Sequence, residues 1–171
     1  MRLKLFLILV FISSFSYSEI VFSDLVEKKV RKTIHKYLKL ELYDYHAVSS
    51  IPELGIKKDH IFKISKNEKS VGYFALNQSM GQYDNFDYLV LFDQNLEIIT
   101  VKIITYREDY GFEICSKWWL SQFIGKKAGK NMKYKENIDA LSGATISAES
   151  ITVSLKVLSE NMLQWQDFGI L

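Results

Sequence analysis

Between residues 60 and 106 the chain is built from four apolar segments joined by short polar stretches. The segments are 60–65, 70–76, 86–92 and 97–106. Each is rich in β-branched and aromatic residues, the composition of a strand. Lys66-Asn67-Glu68-Lys69 and Asp93-Gln94-Asn95 separate neighbouring segments. Parallel neighbours need a crossover of about a dozen residues or more, and these joints are too short for one. The feature therefore predicts an antiparallel meander.

The flanks of this region carry a helical period instead. Val26, Val30, Ile34 and Leu38 recur at i+4, and Asp24 with Glu27 has the spacing of a capping box. At the other end, Ile151, Leu155, Leu158 and Met162 line one face of a helix over 148–163, with Val153 and Val157 beside it. Ser147 is the expected N-cap there. Trp165 and Phe168, just beyond, are expected to fold back on the core. Residues 116–123, containing Trp118 and Trp119, predict a short aromatic helix that ends at Gly125. Residues 41–56 are less regular, with a turn at Pro52 and Gly55. The fold class that follows is α+β: an antiparallel sheet with an N-terminal helix, a short aromatic helix and a C-terminal helix. A chain of 171 residues suits one domain, and it shows no internal repeat or linker.

Several function classes are excluded or weakened at this level. A net charge of +2 gives no electrostatic case for nucleic-acid binding. Lys28, Lys29, Arg31, Lys32 and Lys36 crowd the first helix. They read as a solvated face before they read as a contact for anionic lipid or a partner. Cys115 is the only cysteine. It can form no intrachain disulfide and is expected to be a small buried apolar residue. His35, His46 and His60 lack ligand-like spacing, so no metal site is assigned. No Gly-x-Ser-x-Gly elbow, Walker A loop or Gly-x-Gly-x-x-Gly fingerprint is present, and no residue is assigned a catalytic role.

Residues 1–18 have the pattern of a secretory signal. Arg2 and Lys4 precede an apolar run over 5–12, and Ser16 and Ser18 supply small residues before a cut after Ser18. The apolar run is short for a membrane span; an uncleaved anchor is the alternative. The expectation is an exported protein, periplasmic or otherwise extracytoplasmic, whose domain occupies 19–171.

The remaining stretch is Asp139-Ala140-Leu141-Ser142-Gly143-Ala144-Thr145-Ile146-Ser147. Small residues ahead of a helix let backbone approach a phosphate closely, and the first N–H groups of a helix have no intrahelical partner. By itself the stretch also reads as an ordinary loop in which Thr145 or Ser147 caps a helix and Asp139 sits in a turn. Asp139-x-x-Ser142-Gly143-Ala144-Thr145 resembles the flavinylation signature of the FMN-binding domain family. That family includes covalently flavinylated subunits of sodium-pumping NADH:quinone reductase and of related ion-translocating ferredoxin:NAD reductases. Five such positions would meet by chance in about one chain in a thousand. Gln122-Phe123-Ile124-Gly125-Lys126, upstream, is similar to the family's Gln-Phe-x-Gly-Lys segment. The resemblance covers roughly 70–162. It departs at Glu108-Asp109-Tyr110-Gly111, where many relatives carry Glu-Thr-Pro-Gly-Leu-Gly, which puts a flavin-edge contact from this turn in doubt.

The resemblance implies FMN joined through its phosphate to Thr145, installed from FAD by a separate magnesium-assisted flavin transferase. Ser142, Gly143, Ala144 and Ser147 are the implied phosphate neighbours, and Asp139 is part of the modification signal or a magnesium neighbour during transfer. The implied protein is an electron carrier, or a component of a membrane redox complex, more than a stand-alone enzyme. The alternatives are a non-redox interaction module and a protein that holds FMN without a covalent bond. Tyr110, Trp118 and Trp119 are candidates either for stacking near the flavin or for core packing.

Overall fold

The computed structural model describes residues 23–48 and 61–171. Helix α1 (Asp24–Leu38) comes first, then strands β1 (Asp44–Ala47), β2 (Ile61–Lys66), β3 (Lys69–Met80), β4 (Asn85–Phe92) and β5 (Ile98–Thr105). A 3₁₀ turn (Phe112–Cys115), the short helix α2 (Lys117–Leu120) and a second 3₁₀ turn (Ser121–Phe123) follow, and α3 (Thr145–Asp167) ends the fold. The five strands lie in chain order, each antiparallel to the next. The meander and the α+β class expected from the sequence are both present.

The joints show why. Asn67 and Glu68 both have positive φ, 50° and 63°. Two such residues form the hairpin loop whose twist matches that of its strands. Between β4 and β5, Asp93 Oδ1 accepts from the backbone N–H of Asn95 and of Glu97, each at 2.8 Å. The outer edge of β5 is closed by the chain after the aromatic turns. Ile98 N–H donates to the Lys126 carbonyl at 3.0 Å, and Gly125 N–H to the Ile98 carbonyl at 2.8 Å.

Strand alternation divides the core between two faces. Tyr88, Val90 and Phe92 of β4 join Trp119, Phe123 and the inner face of α3. Leu89 and Leu91 point the other way, with Phe62, Ile64 and Phe74, under Val30 and Ile34 of α1. Burial on both faces explains the nearly unbroken apolar run of β4. Ile151, Leu155 and Met162 of α3 are fully buried, each worth roughly 1.5–3 kcal/mol. Ser79 of β3 and Ser150 of α3 share a hydrogen bond at 2.6 Å, and Met80 N–H donates to Ser150 Oγ at 2.9 Å. Packing and hydroxyl contacts together hold α3 against the end of β3.

Local departures have local causes. Strand β1 falls in the stretch read as less regular; its alternation is mostly polar, and it is held by Tyr45, whose ring meets Phe74 edge-on at 5.2 Å. The capping box does not form. Ser23 is the N-cap of α1, its carbonyl accepting from Val26 and Glu27, while the Glu27 carboxylate turns to Arg31 at 2.9 Å. The aromatic helix is one turn of α-helix between two 3₁₀ turns. Trp165 packs into the core as expected, but Phe168 lies past the helix end and is 64% exposed. Residues 1–18, Pro52, Gly55 and His60 lie outside the described residues. Among the described residues no helix is long and apolar enough to cross a membrane.

Candidate functional site

The approach to α3 is held by side chains from the aromatic turns. Trp119 is fully buried, and its indole N–H donates to the Asp139 carbonyl at 2.9 Å. Gln122 Oε1 accepts from the Asp139 backbone N–H at 2.8 Å, and Gln122 Nε2 donates to the Trp119 carbonyl at 3.2 Å. Asp139 is thus gripped by its main chain, while its side chain faces solvent. Two residues on, the Leu141 N–H donates to the Tyr134 hydroxyl at 3.3 Å.

The chain then turns sharply. Ala144 N–H donates to the Leu141 carbonyl at 3.3 Å, and Gly143 sits at the third position with φ of 84°. A type II turn requires that conformation at that position, and glycine takes it without strain. Helix α3 starts at once. Ala144 is its N-cap, and the Ala144 carbonyl accepts from Ala148 N–H at 2.9 Å. The helix therefore begins three residues before the expected 148 and runs four past the expected 163. Ser147 is its third residue and not its cap. No side chain caps this end, and its first turn contains no acidic residue. The N–H groups of Thr145, Ile146 and Ser147 have no carbonyl one turn earlier within the helix. Together with the helix dipole they favour an anion there.

The implied site residues do not all face the same way. Ser142, Gly143 and Thr145 are exposed. The Thr145 hydroxyl reaches only the Leu141 carbonyl, at the long distance of 3.5 Å, so it is open to chemistry. Ala144 is buried against the core. Ser147 is 3% exposed, and its hydroxyl is paired with the Tyr106 hydroxyl at 3.3 Å. Its contribution to an anion is its backbone N–H, and its side chain instead ties α3 to the segment after β5.

That segment forms a second wall, of which the sequence reading named Gly111 but not Tyr106, Phe112 or Glu113. Gly111 (φ 77°) lies against the Leu141–Ala144 turn: a β-carbon there would stand 2.7 Å from Tyr106 Oη and 3.3 Å from the Gly143 carbonyl oxygen. Phe112 is exposed and meets the Tyr106 ring at 5.5 Å. Glu113 lies directly over Gly143. A β-carbon on Gly143 would stand 3.0 Å from the Glu113 carboxyl carbon and 3.1 Å from each of its oxygens. Burial raises the Tyr106 phenol above its ordinary range, against the opposing hydrogen bond from Ser147, so it stays neutral at pH 7. The acidic–Gly turn at 108–111 was the one sequence signal pointing to this wall, but not to these side chains.

The departing turn has a structural task. Glu108 Oε1 accepts from the N–H groups of Tyr83 at 2.8 Å and Asp84 at 3.1 Å, which closes the loop between β3 and β4. Those backbone donors hold its carboxyl below the usual range. Of the stacking candidates, Trp119 belongs to the core, whereas Tyr110 and Trp118 are exposed. Cys115 is exposed as well, contrary to the buried position expected of it. It ends an outward-facing 3₁₀ turn whose buried residue is Ile114. Among the described residues no group of three His, Cys, Asp or Glu side chains could hold a metal ion.

These residues fit a phosphate group. An exposed hydroxyl, a glycine with no side chain and an uncapped helix start converge on one surface turn. A search of the curated proteins returns no match. The family model of the FMN-binding domain matches residues 81–159. That span holds β4, β5, both walls of the site and most of α3. Residues 81–159 match the FMN-binding domain family, which supports a flavin-binding protein.

Proposed function

We propose that this protein is an extracytoplasmic electron-transfer flavoprotein that carries FMN on Thr145 through a phosphoester. The observation that carries the reading is the exposed Thr145 hydroxyl, first residue of an uncapped, acid-free helix and next to a positive-φ glycine turn. In the attachment reaction, Thr145 Oγ bonds to the phosphorus of the FMN half of FAD. The bond to the AMP half breaks, AMP leaves and the hydroxyl proton passes to solvent. A flavin transferase supplies the activation, so Thr145 needs no base within its own chain. Asp139, exposed beside the turn, is available to that enzyme.

The chain's own residues hold the product. Gly143 lets the backbone come close, and the first N–H groups of α3 face the remaining negative charge. Ser142 is placed to donate a hydrogen bond at the surface. Trp119 and Gln122 keep the incoming strand in register, and Ser147 with Tyr106 locks the helix start to the opposite wall. The bound flavin supplies reversible electron acceptance, and the protein supplies placement and electrostatics. The signal-like pattern of residues 1–18 supports export, where a covalent bond would prevent cofactor loss. A membrane redox complex, or another donor and acceptor, would be its partner.

Co-expression with a flavin transferase should yield a yellow protein whose intact mass rises by FMN less one water. An unmodified mass under those conditions sinks the attachment. Flavin released by denaturant would instead establish reversible binding at the same domain.

A further inference from the structure

The position of Glu113 has a consequence for which form of FMN the site accepts. Its carboxyl group lies over Gly143, the residue that a phosphate on Thr145 must approach. Among the described residues no cation pairs with it, so its negative charge stands unneutralised at the mouth of an anion site. The Tyr106 hydroxyl, neutral at pH 7, offers no compensating charge. A carboxylate here opposes the helix start, which attracts anions.

The two forms of the ligand differ in charge. Free FMN is a phosphate monoester and carries about −1.5 to −2 at pH 7. The ester on Thr145 is a diester, with a single negative charge. Coulomb repulsion from Glu113 scales with that charge, so it opposes the free cofactor up to about twice as strongly as the attached one. We propose that Glu113 is a specificity-determining residue: a charge filter that disfavours free FMN and tolerates the attached diester. The protein then holds its flavin through the covalent bond and does not fill the site with loose FMN or other phosphate monoesters. This inference rests on the site reading above, because it places the phosphate at the Gly143–Thr145 turn.

The test uses the full chain produced without a flavin transferase and titrated with FMN and with riboflavin, which lacks the phosphate. Quenching of flavin fluorescence reports both affinities. Glu113→Gln should bind FMN about three- to tenfold more tightly than the parent, with riboflavin affinity unchanged and the gain shrinking as salt is added. Glu113→Asp, which keeps the charge, should stay close to the parent. Equal FMN affinity in parent and Glu113→Gln, undetectable binding in both, or equal gains for FMN and riboflavin would each overturn the filter. Intact mass after co-expression with the transferase separately reads attachment. Absence of label on the parent would sink the Thr145 ester and leave the FMN-to-riboflavin ratio to decide the role of Glu113.

Discussion

The two long helices begin in opposite ways. Helix α1 follows Ser23 and places Asp24 and Glu27 in its first turn, so it carries acids of its own near its positive end. Helix α3 follows Ala144 and has no acidic residue in its first turn. Neither end has a side-chain cap. An acid near a helix N-terminus is worth about 0.3–1 kcal/mol, and α3 forgoes that contribution. Burial of Ile151, Leu155 and Met162 offsets the omission many times over. Helix α1 thus completes itself electrostatically. Helix α3 is held by packing, and its first turn carries neither a cap nor an acid of its own. The contrast follows the family match, which begins at residue 81 and leaves α1 outside.

The largest expected effect comes from removing the hydroxyl. Thr145→Ala should abolish labelling by the transferase, read as an unshifted intact mass. Its only hydrogen bond is long, so stability should stay within about 0.5 kcal/mol of the parent. Residual label would move the attachment elsewhere, and a covalent label on α1 would erase the contrast. Next comes Gly143→Ala. Its φ of 84° and the carboxyl of Glu113 3.0 Å from the new β-carbon both oppose the substitution. Thermal unfolding should show a loss of about 1–3 kcal/mol, and labelling should slow by about tenfold or more as the turn reshapes.

How much of this was legible in the sequence depended on the range of the interaction. The meander could be read because strand period and joint length are local properties, visible in 86–92 or at Asn67-Glu68. The Asp139–Thr145 signature could be matched to a family because its five specified positions fall within seven consecutive residues. Strand β1 could not, since what holds it is Tyr45 against Phe62 and Phe74 across the sheet. Ser147 looked like a cap because serine favours that position, yet Gly143 and Ala144 start the helix earlier and turn Ser147 toward Tyr106. The wall formed by Tyr106, Phe112 and Glu113 lies about thirty residues upstream of the turn it faces. Only the fold brings the two together, and the acidic–Gly turn at 108–111 pointed to the segment without singling out these side chains.

A smaller and more diagnostic effect should follow from giving α3 what α1 already has. Ile146, the second residue of α3, is 50% exposed, so a polar replacement there costs little burial. Ile146→Glu places a carboxylate in the acid-free first turn. Interaction with the helix dipole should raise stability by about 0.3–1 kcal/mol in low salt. The same charge should slow labelling about three- to tenfold by repelling the incoming phosphate. Stability and labelling move in opposite directions, which a general folding defect cannot produce. If labelling is unchanged, the empty first turn of α3 has no part in receiving the phosphate.

The smallest effect belongs to the converse change in α1. Asp24→Asn removes one of the two first-turn charges while keeping size and polarity. Denaturant unfolding should show a loss of about 0.3–1 kcal/mol that fades with added salt. Labelling should not change, because α1 packs on the opposite face of the sheet from the Thr145 turn. A labelling defect here would mean that the transferase reads α1 as well as the turn. The basic surface of that helix, with Lys28, Lys32 and Lys36 exposed, would then have to be treated as part of the recognition surface.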